Sequence, residues 1–143
     1  MPELKSRLAE SEKITINLMP VDLGQIDLLV QQGFYSNRTD LIRTAVRNQL
    51  SQHAEAVRRT VERDELVLGL LAYSRADLEA VQTRGDMLSL RVLGLLTIAD
   101  DVPAALAAAT IRSVTVLGAL HAPTAVRAAL AGRINRESTH YHP

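Results

Sequence analysis

The sequence predicts an α+β protein in two parts, and three observations predict it. Near the start, KITINLMP (Lys13–Pro20) alternates apolar and polar side chains with a period of two, which is the pattern of a strand. The residues after it repeat their apolar side chains at helical spacing up to Leu50. Further on, VLGLL occurs at 67–71 and again at 92–96, and VLGAL follows at 116–120.

The first element in order is that strand, 13–18, preceded by a flexible N-terminus over 1–11. Ile14, Ile16 and Leu18 alternate with Lys13, Thr15 and Asn17, and Pro20 stops the run. Leu23, Ile26, Leu29 and Val30 then fall on one helical face, with Pro20 and Asp22 as the helix start. Gly33 suits the left-handed residue that ends a helix. In FYSNRTDLIRTAVRNQL, Ser36 or Asn37 can act as N-cap, and Asp40 sits in the first turn, where the helix dipole favours a carboxylate. Arg43 and Arg47 read as partners for Asp40 along one helix face.

A strand and two short helices bury little by themselves, because segments below about 40 residues usually need help to fold. A second copy supplies it. Strand 13–18 can pair antiparallel with its twofold mate, which turns Ile14, Ile16 and Leu18 towards the helices and Lys13, Thr15 and Asn17 outward. A two-stranded ribbon of this kind fits the major groove of DNA, where Lys, Asn and Thr match base edges. These residues, KITINLMP plus GFYSNRTDLIRTAVR, resemble the ribbon-helix-helix family of DNA-binding repressors, the Arc, MetJ and CopG type. The resemblance covers 12–52. It implies an obligate homodimer, base contacts from Lys13, Thr15 and Asn17, and a phosphate held at the start of the second helix by Ser36, Asn37, Arg38 and Thr39.

Residues 53–64 continue the helical spacing and form an extension or a connecting helix, with Arg58, Arg59 and Arg63 on its polar side. Residues 65–133 follow as three strand–helix repeats of about 25 residues. The VLG motifs start 25 and 24 residues apart, and 89–107 shares ten of nineteen positions with 113–131. Gly69, Gly94 and Gly118 recur at one place, where a bend or a close backbone approach is expected. Ser74 with Asp77 resembles a capping box, and Asp100-Asp101 and Pro123-Thr124 hold the same place in the later units. The short period leaves two forms open, an α/β layer or a β-solenoid-like stack. The apolar end units point to association with further copies or with a protein partner. The tail, 134–143, reads as disordered.

Composition narrows the function. The chain has no cysteine, so thiolate metal sites, disulfides and thiol nucleophiles are excluded. His53, His121, His140 and His142 form too thin a ligand set for a metal. No catalytic motif or cofactor fingerprint is present, and neither an enzyme nor a cofactor is expected. No signal-peptide core or membrane span is visible, so a soluble intracellular protein is expected, and the family resemblance implies a cytoplasmic, nucleoid-associated one. Sixteen basic and sixteen acidic residues cancel, and segment 13–53 carries only +1, so DNA contact must come from local placement. The expected function is a sequence-specific regulator, a repressor, that binds double-stranded DNA and assembles through its C-terminal repeats. The alternatives are a partition or nucleoid-organising factor, an antitoxin, or a self-assembling scaffold without specific DNA binding.

Overall fold

Pro20 opens the first helix, α1 (Pro20–Gln31), where its missing N–H costs nothing because first-turn amides have no helical partner. Gly33 takes φ +84°, and the helix ends in a Schellman motif: Gly33 N–H donates to Val30 O at 3.1 Å and Phe34 N–H to Leu29 O at 3.0 Å. The second helix, α2 (Arg38–Gln52), starts at Asn37. It stops at His53, and a separate α3 (Ala54–Arg63) follows. The computed structural model describes residues 11–135.

The segment 11–19 before α1 carries neither helix nor strand pairing, in contrast to the strand expected at 13–18. A strand is held by its ladder, and the sequence offers 13–18 no partner within its own chain. One chain alone therefore leaves it unpaired.

After α3 the chain alternates strand and helix: β1 (Val67–Tyr73), α4 (Arg75–Thr83), β2 (Leu88–Ile98), α5 (Ala104–Thr110), β3 (Ile111–His121) and α6 (Thr124–Ala129). A 3-10 turn over Ala131–Arg133 leads into a two-residue strand, β4 (Ile134–Asn135). All pairings are parallel, and the sheet order is β1-β2-β3-β4. Of the two forms left open, this single sheet is the α/β layer. The register sets Gly69, Gly94 and Gly118 side by side in one row across three strands. A Cβ at Gly94 would run into the carbonyl of Gly69, and one at Gly118 into the carbonyl of Gly94, so both positions exclude any side chain.

The chain divides into two compact units, one of Lys13–Thr60 and one that runs from Val61 on and includes Glu12. The core lies wholly in the second. Leu90, Val92, Leu96 and Ile98 of β2 pack with Ile111 and Val114 of β3 against Leu78, Leu106 and Val126 of the helices. Fully burying such side chains stabilises by roughly 1.5–3 kcal/mol each, which is the main driving force for this unit. In the first unit no residue of α1 or α2 is buried.

Three local expectations change. Asp100 and Asp101 do not cap α5, which starts after Pro103 without a side-chain cap, and α6 likewise starts after Pro123. Proline supplies the extended entry angle there. Ile134 and Asn135, expected in the disordered tail, pair with Val114 and Thr115. Arg133 anchors that turn by donating to Ala108 O at 2.6 Å and Ile111 O at 2.8 Å, carbonyls at and just beyond the C-terminal end of α5 that a cation suits. The rest of the expected tail, with His140 and His142, lies outside the described residues, as do residues 1–10 of the expected flexible N-terminus.

Candidate nucleic-acid interface

Lys13, Thr15 and Asn17 are all exposed. So are the residues between them, with Ile14 at 79% and Ile16 at 55% of full accessibility. Both faces of the alternating segment therefore look outward in the single chain. Phe34, Val46 and Leu50 of the same unit are exposed as well. An apolar surface this extensive on 48 residues, 13 to 60, calls for a covering surface.

The turn between α1 and α2 holds the remaining candidates in a tight polar arrangement. Asn37 Oδ1 accepts from Asp40 N–H at 2.8 Å, and Asp40 Oδ2 accepts from Ser36 N–H at 3.0 Å. This is a capping box with its second bond moved one residue outward. Asp40 is occupied by backbone, and among the described residues no ion pair joins it to Arg43 or Arg47, contrary to expectation. The reason is distance of effect: a carboxylate at the third helical position meets free N–H groups before it meets side chains a turn ahead.

The Arg38 guanidinium turns back to α1. Its Nε and Nη2 donate to the two carboxylate oxygens of Asp27, both at 2.8 Å, in a two-pronged pair. These hydrogen bonds hold the Asp27 carboxyl below the usual aspartate range, against the smaller upward push of desolvation. They raise the Arg38 guanidinium above its ordinary value. Both groups are about half exposed, so the pair fixes geometry more than it adds stability. Of the four residues expected at a phosphate, Ser36 N–H, the Asn37 side chain and the Arg38 guanidinium are engaged within the chain. The Arg38 and Thr39 N–H groups, in the first turn of α2, have no helical acceptor and carry no hydrogen bond among the described residues. Asp27 itself escaped the sequence reading, because no spacing rule links positions on two helices across a turn.

Other chemistry is sparse. Among the described residues no three metal-ligating side chains cluster. No helix among them is long and apolar enough to cross a membrane.

A family model described as the ribbon-helix-helix transcriptional regulator family matches residues 9–127. The match runs through the first unit and on past β3 into α6. No curated protein and no solved structure matches the chain.

Proposed function

The chain belongs to the ribbon-helix-helix transcriptional regulator family, and from that membership we propose a dimeric, sequence-specific repressor that reads the major groove of double-stranded DNA. Two copies of segment 13–18 pair antiparallel into a ribbon. Ile14, Ile16 and Leu18 turn inward onto the helices of both chains, and Lys13, Thr15 and Asn17 turn outward to base edges. The observation that carries this reading is the first unit's lack of buried residues in α1 and α2, together with two well-formed helix caps. Local structure is complete there while a core is missing, and a twofold mate provides one.

On the phosphate backbone, the free Arg38 and Thr39 N–H groups at the start of α2 take one phosphate per chain, supported by the helix dipole. Asn37 and Ser36 shape that turn, and the Asp27–Arg38 pair holds it against α1. The site of action is the nucleoid, in the cytoplasm. The strand–helix repeats of the second unit join further copies, so neighbouring dimers cooperate and multivalency compensates for a weak net charge.

The test is fluorescence anisotropy with DNA from the protein's own upstream region against a scrambled control, across a salt series. Preferential binding that steepens with protein concentration is expected. Each bidentate base contact is worth about 1–3 kcal/mol of discrimination, so Asn17→Ala should narrow the gap between the two DNAs by about that amount. If Thr15→Ala and Asn17→Ala both leave the preference intact, the reading face is wrong. Equal binding of both DNAs by the wild type, followed by failure to enrich any sequence from a genomic pool, would favour the scaffold.

A further inference from the structure

The sheet order leaves β1 at an edge, and among the described residues no strand pairs with its outer side. Its sequence, VLGLLAY, has no charge and no proline, the devices that usually keep an edge strand from pairing. Leu68 is 66% and Leu70 58% exposed, and with Val67 they make β1 the richest exposed apolar strip of the second unit. The opposite edge differs in exposure: β4 pairs only with Val114 and Thr115 of β3, but Arg127 donates to the Leu120 carbonyl and no large apolar side chain of β3 is exposed. The glycine row shows the open side of β1: a Cβ at Gly94 or Gly118 strikes the backbone of the preceding strand, while one at Gly69 meets nothing within 4 Å.

We propose that β1 pairs antiparallel with β1 of a second copy of this chain, about a twofold axis at Leu70. This rests on the reading that the second unit joins copies, and it names the surface. The strand is its own best partner. A dyad at Leu70 sets Leu68 opposite Ala72 and Val67 opposite Tyr73 of the second copy, so that opposed residues share a face and every pair is apolar. At the ends, the antiparallel arrangement sets Glu65, just before the strand and without an ion pair among the described residues, across from Arg75. That arginine pairs with Glu79 of its own helix at 2.8 Å, so opposite and not like charges meet there. The two four-stranded sheets become one continuous sheet.

The native chain has no cysteine, so single cysteines report the geometry directly. Directly opposed residues of an antiparallel pair lie about 4.5–5.5 Å apart at Cα, within disulfide range. Full-length Leu70→Cys should form a covalent pair under mild oxidant at least about tenfold faster than the exposed control Asp86→Cys. The double variant Leu68→Cys/Ala72→Cys should cross-link equally well. Leu68→Cys alone should not, since about 13 Å of strand separates it from its counterpart. Leu70→Cys cross-linking no faster than Asp86→Cys, or slower than Leu68→Cys, overturns the pairing. Sedimentation separates this from failure of the parent reading. An Ile16→Lys chain, with its ribbon broken, should still associate, and adding Leu70→Lys should make it monomeric. Association that survives Leu70→Lys removes this edge but keeps assembly by the second unit. A monomeric Ile16→Lys chain removes both.

Discussion

Asp27 and Arg38 stand eleven residues apart, yet the guanidinium forks onto the carboxylate from the next helix. The Asp27 carboxyl therefore titrates below its unfolded value. Its contribution is fully present above the ordinary aspartate pKa and fades as pH falls through the lowered one. An NMR titration should find Asp27 below the usual aspartate range in the wild type and moved upward in Arg38→Ala. An unmoved Asp27 would mean that the pair does not form in solution. Asn37 is the other decisive residue of this turn, since its side chain is the cap of α2. Asn37→Ala should cost about 1 kcal/mol in thermal or urea unfolding, within the ~0.5–2 kcal/mol span for lost N-caps. The cap was legible in the sequence, because an N-cap and its third-position acid are a local pattern. The ion pair was not, because it depends on how two helices meet. Arg133 was missed for the same reason: its acceptors lie 25 and 22 residues back in the chain.

At the scale of elements, the row of glycines decides how β1, β2 and β3 can lie together. Gly69, Gly94 and Gly118 all have φ between +117° and +141°, a region that L side chains avoid. Gly94 has a second constraint, because an added methyl meets the Gly69 backbone. Gly94→Ala should thus lose about 2–5 kcal/mol, from backbone strain plus overpacking, whereas Gly69→Ala should lose only the strain part, about 1–3 kcal/mol. Paired denaturant melts measure the difference, and equal losses would show that the close approach is not a real constraint. The motif VLGxL made the strands visible in the sequence. It understated their length, since β2 and β3 run for eleven residues each while the apolar run covers five. The flanking residues, such as Ser89, Arg91, Ser113 and Thr115, are polar or charged and join the ladder because a neighbour pairs them. Propensity gives no sign of that. The helix starts after Pro103 and Pro123 were hidden for a related reason: the acidic or polar residues nearby looked like caps, but proline had already set the entry angle.

Across the whole molecule, burial is divided unequally between the units. The second holds a core with side chains such as Leu78, Leu96, Val114 and Val126 fully enclosed, and it should unfold as a cooperative block. The first has capped helices, an exposed apolar face and no buried residue in α1 or α2, so on the proposed dimeric reading its stability comes from association. Hydrogen exchange should therefore depend on protein concentration in one unit and not in the other. On dilution, amides of 20–52 should lose protection while those of 88–98 keep theirs. Ile16→Lys places a charge on the inward face of the proposed ribbon, and it should produce the unprotected pattern at every concentration. The sheet should stay intact, because none of its core side chains lies in the first unit. If 20–52 stays protected in dilute Ile16→Lys protein, the helices hold without a mate and the twofold ribbon is not what completes the unit. The sequence hinted at this division by its alternating segment with no partner strand. What it could not display is that an entire unit lacks an interior of its own, since a helical apolar stripe reads the same whether its cover comes from the same chain or another.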